Sequence, residues 1–328
     1  MQSTSPHAAV FMYHRFGEGK YPSTNIRIDQ FEEQLRFIEE NEFKVVPLEA
    51  IIHALDNGTI LPDKAIAITI DDAYQSVYDV AYPRLQSRGY PFTVFICPGD
   101  IDRGVKAYMD WPQIREMHDN GVTFANHSLN HDYLVRKKDG ETALVWAERI
   151  RWDLEEAQKR LIEELDEAPP FFAYPYGEYN LELMAIVKEL GFTAFGQHSG
   201  VVGPLADREA LPRFPVAEAF ADMSAFKVKA LALPMPVVQQ DPVDPQTVER
   251  RPGLTLILKP VDMELDQLRC FYNGQPVTVA WKEAGRKFTI QAPEDLPAGR
   301  SRYNCTAPST ENSRYYWFSH QWIRPAQP

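Results

Sequence analysis

The feature that most constrains the fold is an alternation. From residue 8 to about 200, short apolar stretches take turns with longer amphipathic ones. The apolar stretches are AVFMY (9–13), KVV (44–46), AIAITI (65–70), TVFI (93–96), VTFA (122–125), FFAY (171–174) and TAFG (193–196). Strands that are apolar at nearly every residue have both faces covered, and strand–helix alternation makes the sheet parallel with helices packed on it. Between them, IDQFEEQLRFIEEN (28–41) repeats Phe31, Leu35 and Ile38 at helical spacing and opens with an Asp that can cap its first turn. Residues 141–165 and 180–190 read as further helices. Seven such units predict an α/β fold with a closed or nearly closed barrel of about seven parallel strands; an open doubly wound sheet is the alternative.

The texture changes at 233–253, LPMPVVQQDPVDPQTVERRPG, where proline and polar residues dominate and the reading is a linker. Beyond it LTLILK (254–259), PVTVAW (276–281), KFTIQA (287–292) and RYYWFSHQW (314–322) are separated by turn signals such as Asn273-Gly274. Short strands without a helical period predict a small all-β sandwich (Ig-like) over 254–328, after a barrel domain over 1–232.

A net charge of −12 argues against nucleic acid or an anionic membrane surface as the main partner. No run approaches the ~18 apolar residues of a membrane span. The opening MQSTSPHAAVFMYHRF lacks the basic-then-apolar layout of a secretory signal. The expectation is a cytoplasmic protein, or a periplasmic or secreted one whose signal has been removed. Of three cysteines, Cys97 ends an apolar run and reads as a buried thiol. Cys270 and Cys305 share the last segment and could pair, which would favour an oxidising compartment.

In parallel α/β folds function gathers at the carboxyl ends of the strands. His14 follows the first strand here, Asp71-Asp72 the third, His127 and His131 the fifth, Pro175-Tyr176-Gly177 the sixth and His198 the seventh. Two adjacent carboxylates repel each other, so the pair needs a partner. The His-x-x-x-His spacing puts two imidazoles on one side of a helical turn, where with one carboxylate they can bind a single cation and leave positions open. Taken alone, such a pair also occurs on solvated helices that bind nothing, and an Asp pair can simply cap a helix.

ITIDDAY, HSLNH and AYPYG, in this order, resemble the first three motifs of the polysaccharide deacetylase family (carbohydrate esterase family 4). FMYHRF and LPRFPV also resemble bacterial members, and the resemblance covers roughly residues 8 to 230. It implies a distorted (β/α) barrel and metal-dependent removal of acetyl groups from an acetylated glycan. Asp72, His127 and His131 would hold the metal, most simply zinc, with cobalt or nickel as alternatives. Asp71 would be the general base, and the backbone N–H of Tyr176 would hold the oxyanion.

Two departures stand out. The family carries an Arg two residues before the motif proline, where this chain has Ala173; Arg213 in LPRFPV is the candidate replacement, against a plain packing role. The family's late Leu-x-His motif, which supplies the general acid, is also missing. The resemblance then leaves His198 for that role, against a packed histidine. His14 reads as a supporting hydrogen-bonding residue, and Tyr74, Trp111 and Tyr133 as aromatics near the mouth or in the core. The expected reaction is N-deacetylation of an N-acetylglucosamine-containing poly- or oligosaccharide. The alternatives are an acetylxylan-type O-deacetylase and a non-catalytic carbohydrate-binding descendant.

Overall fold

The computed structural model describes residues 6–325; residues 1–5 of the opening stretch and 326–328 lie outside the described residues. All seven expected strands form: β1 (Ala8–Tyr13), β2 (Lys44–Val45), β3 (Ala65–Asp71), β4 (Phe92–Ile96), β5 (Thr123–Asn126), β6 (Phe171–Ala173) and β7 (Thr193–Phe195). They pair in parallel, β1-β3-β4-β5-β6-β7, with β2 beside β3. Two short strands of this sheet were not expected: β8 (Val201–Val202), antiparallel to β1, and β9 (Phe214–Pro215), parallel to β1. The segment leading into β9 also meets β7, through a bridge between Phe195 and Leu211. Residues 208–215 therefore lie across the gap between the last parallel strand and the first, and curl the sheet into a distorted barrel.

The period of two along each strand sorts side chains to the two faces. Phe11, Tyr13, Ile66, Ile68 and Ile70 pack outward against α1 (Ile28–Glu40) and its neighbours. Ala8, Val10, Ala65, Ala67, Phe95, Ala125, Ala173 and Phe195 form a second cluster inside. Helix α1 starts two residues earlier than an Asp29 cap would require, so Asp29 lies inside its first turn. Arg27 is its N-cap residue, and Asp29 accepts from the Arg27 guanidinium at 3.0 and 2.8 Å. The longest helix, Ala143–Leu165, begins on a Thr142 cap whose hydroxyl accepts from the Val145 amide.

The stretch 233–253 is more than a linker. It contains β10 (Leu233–Pro234) and β11 (Val237–Asp241), which join the two sheets of the β-unit. Prolines confined to a strand end and an edge position explain why composition concealed them. One sheet contains β11, β12 (Gly253–Leu258) and the strands over 280–291; the other contains β10, Arg269–Tyr272, Gln275–Val277, Gly299–Pro308 and Tyr315–Arg324. Leu254, Leu256 and Phe288 of the first meet Tyr303, Cys305 and Trp322 of the second in one core. Cys270 and Cys305 stand opposite each other in the ladder and are disulfide-bonded. Replacing both with serine should destabilise the β-unit by about 2–4 kcal/mol, read as a fall in its unfolding temperature that reductant reproduces in the parent protein. Among the described residues no helix is long and apolar enough to cross a membrane.

Candidate metal and catalytic site

The alternation along β3 assigns the two aspartates. Asp71 has the parity of Ala65, Ala67 and Thr69, so its carboxylate enters the barrel interior. There it meets Arg213 in a two-pronged contact, Nη1 to Oδ1 at 2.7 Å and Nη2 to Oδ2 at 2.8 Å, with both side chains fully buried. Arg213 is itself fixed: it donates to the Gly196 carbonyl at 3.0 Å and the Thr69 hydroxyl at 3.2 Å, and packs over the Phe95 ring. The small interior residues Ala67, Ala125 and Ala173 leave room for it. Burial alone would raise the Asp71 carboxyl, but the Arg213 guanidinium and the neighbouring imidazoles overcome it and hold the group below the usual carboxylate value. Arg213 is brought onto Asp71 by the segment that spans the barrel's gap.

Asp72 leaves the strand with φ 75° and turns the other way. Its Oδ1 lies 3.3 Å from His127 Nε2 and 3.2 Å from His131 Nε2. The three donor atoms fall within 4.8 Å of one another. His127 Nδ1 sits 2.7 Å from the Ala173 carbonyl, which can only accept, so Nδ1 carries the proton and Nε2 is left with a lone pair. That Nε2 is buried and has no hydrogen-bond partner. A buried imidazole lone pair and a carboxylate facing the same point are what a divalent cation satisfies, so the residues fit a metal. Burial would raise Asp72, yet its contacts with His127 and His131 hold it well below the usual value.

The two histidines do not share a helical turn. Residues 127–131 are a loop in which Ser128 (φ 68°) and His131 (φ 57°) take left-handed conformations, and the Ser128 hydroxyl accepts from the His131 amide at 3.0 Å. Tyr176 is also left-handed, at φ 58° and ψ 2°. Unfavourable backbone conformations of this kind collect at sites where geometry matters more than stability. The Tyr176 ring packs edge-on against His131 and lies flat on Tyr133, with centroids 3.8 Å apart. On the other side of Asp72, Tyr74 stacks on Tyr108 at 5.1 Å. Trp111 belongs to the core instead, its indole N–H donating to Asp102 at 2.7 Å.

His198 is not brought to this centre. It packs on Tyr179, Nδ1 3.3 Å from the phenol oxygen, and lines the cleft between barrel and β-unit. Burial, with help from Arg302 and Arg213, pushes it down to about 4. The imidazole that does stand in the field of Asp72, Asp71, Arg213 and His127 is His14, pushed down by burial and partly restored by the two carboxylates. Parity could have told them apart. His14 continues the interior series of Ala8 and Val10, whereas His198 falls on the opposite phase from Phe195.

Residues 59–195 match the family model described as polysaccharide deacetylase. That stretch belongs to the polysaccharide deacetylase family. A poly-beta-1,6-N-acetyl-D-glucosamine N-deacetylase of Escherichia coli (strain K12) is 27% identical over 227 residues, which span 59% of this chain and 34% of that relative. The protein of the same name from Staphylococcus aureus (strain N315) is 24% identical over 215 residues, spanning 63% of this chain and 73% of the relative. The match thus covers about a third of the Escherichia coli relative's length. Among solved structures, IcaB from Ammonifex degensii superposes with a TM-score of 0.60 at 26% identity, covering 70% of this chain and 99% of that one. A de-N-acetylase from Aggregatibacter actinomycetemcomitans shares the fold, with a TM-score of 0.61 at 22% identity over 68% of this chain and 99% of that one. The polysaccharide deacetylase stretch contains Asp71, Asp72, His127, His131 and Tyr176; His14 and Arg213 come from outside it. The barrel brings both flanking residues back to the deacetylase motifs.

Proposed function

We propose that the protein hydrolyses the acetamide of N-acetylglucosamine units in a glycan, with a divalent metal held by Asp72, His127 and His131. The observation that carries this reading is the buried, unpartnered His127 Nε2 facing Asp72 beside the Asp71–Arg213 pair. A divalent cation held there supplies Lewis acidity, polarising the acetyl carbonyl and lowering the pKa of water. Asp71 accepts the proton of the attacking water, and Arg213 keeps it ionised and aimed. The Tyr176 amide donates to the developing oxyanion, a fixed donor worth about 3 kcal/mol of barrier. His14 protonates the departing nitrogen.

Zinc is the metal we propose, since two imidazoles and one carboxylate with open positions are a catalytic zinc set; cobalt and nickel accept the same donors. The names of the relatives support a β-1,6-linked polymer as the substrate. The Cys270–Cys305 bond supports an oxidising compartment, periplasmic or extracellular. Acetate release is the test, measured on poly-β-1,6-N-acetylglucosamine, on oligomers of other linkage and on acetylxylan, each with zinc, cobalt or nickel. Release from the β-1,6 polymer is expected. Release from acetylxylan alone would make the protein an O-deacetylase, and none from any substrate would leave only a binding role.

The choice of acid has its own test. His14→Ala should lower kcat about 10²-fold, as for loss of a positioned proton donor. His198→Ala should leave kcat within a few-fold of the parent; the reverse pattern would restore His198 to the mechanism.

A further inference from the structure

We propose that the β-unit is a working part of the deacetylase site, in which Arg300 and Gln321 are positioning residues that hold the Tyr176–Gly177 turn. The inference rests on the deacetylase reading above and goes beyond the stretch that the family match covers. Arg300 lies on β-strand Gly299–Pro308 and Gln321 on Tyr315–Arg324, which pair antiparallel with Arg300 opposite Ile323 and Arg302 opposite Gln321. Alternation gives this hairpin two faces. Tyr303, Cys305 and Trp322 point into the sandwich core, while Arg300, Arg302, Ser319 and Gln321 meet the barrel.

What they meet is the Tyr176–Gly177 turn and the neighbouring 197–199 loop. Arg300 Nη1 donates to the Tyr176 carbonyl and, at 3.0 Å, to Gln197 Oε1. Gln321 Nε2, buried, donates to the Gly177 carbonyl at 2.7 Å. Arg302 donates to the Ser199 hydroxyl at 3.1 Å. Two consecutive carbonyls of one turn are therefore held from the β-unit. The turn needs holding: Tyr176 sits at φ 58° and Gly177 at φ 67°, and a left-handed tyrosine relaxes toward negative φ when free to do so. Gly177 is also pinned from the other side, since a Cβ there would come within 2.5 Å of Gln197 Cβ. Rotation about φ of Tyr176 would swing its ring away from His131 and Tyr133 and change the aim of the amide that faces the reacting carbonyl.

The test uses the full chain with metal supplied. Arg300→Ala and Gln321→Ala should each lower kcat about 10-fold and the double variant more, because small misplacements of a catalytic group are costly. KM should stay within twofold, bound metal should be unchanged, and deuterium uptake by the peptide covering 172–180 should quicken. Arg300→Lys, which still reaches a carbonyl, should recover most of kcat and slow the exchange again. Arg300 is exposed, so its truncation leaves the sandwich core intact if the Gln321 variant folds poorly. A double variant with kcat within twofold of an active parent, or with unaltered exchange at 172–180, overturns the inference alone. A parent that releases no acetate overturns the deacetylase reading and the inference with it.

Discussion

Asp72→Asn should lose bound metal and acetate release together, whereas Asp71→Asn should keep the metal and lose about 10²–10⁴-fold in kcat, the range for removal of a general base. The two carboxylates are neighbours in sequence but face different partners. Asp72 Oδ1 is shared between the Nε2 atoms of His127 and His131, at 3.3 and 3.2 Å, so replacing it removes the only negative charge of the three-residue set. The Asp71 carboxylate has both oxygens on Arg213 and lies outside that set. Its amide replacement keeps the shape and removes the basicity. Elemental analysis of the two purified variants beside acetate release reads both outcomes. Metal retained in both variants would show that the division of labour is wrong.

Arg213→Met should cost about 3–5 kcal/mol of stability, because it leaves a fully buried carboxylate without its counter-charge. It should also remove most of the activity, since Asp71 loses its aim and its bias toward the ionised form. Arg213→Lys should fare little better: a single ammonium cannot reproduce the fork that meets both Asp71 oxygens, the Gly196 carbonyl and Thr69. The pH dependence carries the sign. In the parent, the Asp71 pKa lies below its unfolded value of about 3.9, so its stabilising contribution is present above that pH and fades as pH falls through the lower folded value. In Arg213→Met, burial acts without the guanidinium and raises the folded pKa, so the charged form is the penalised one. The stability gap between variant and parent, measured by denaturant unfolding of the metal-free proteins, is therefore widest at neutral pH and narrows in acid. A gap that widened in acid would contradict the pairing.

Much of this was legible in the chain, because hydrophobic strands that end in acids and histidines leave a periodic signal. AIAITIDD states both that β3 is buried on both faces and that something must compensate its carboxylates. The same signal fails where an element is short or exposed. Phe214–Pro215 is two residues long, so no period can announce that Arg213 will be carried into the barrel. Val237–Asp241 is a half-exposed edge strand, and its Val-Val-Gln-Gln-Asp reads as linker. The His127–His131 spacing suggests a helical turn, but the loop reaches the same convergence through two left-handed residues, and no propensity scale encodes that. Choosing between His14 and His198 required the strand phase as well as the strand end.

The segment across the barrel's gap has a consequence for how the chain matures. A growing chain that has emerged as far as residue 207 already contains both aspartates, His127 and His131 and the Tyr176 turn, yet it lacks the guanidinium that pairs with the buried Asp71. The segment 208–215 sets Leu211 beside Phe195, Phe214 beside Phe11 and Arg213 on Asp71. Closing the barrel and pairing Asp71 with Arg213 therefore depend on the same segment. A fragment ending before residue 208 should remain an open, acid-favoured intermediate, and supplying metal alone should not make it catalytically competent.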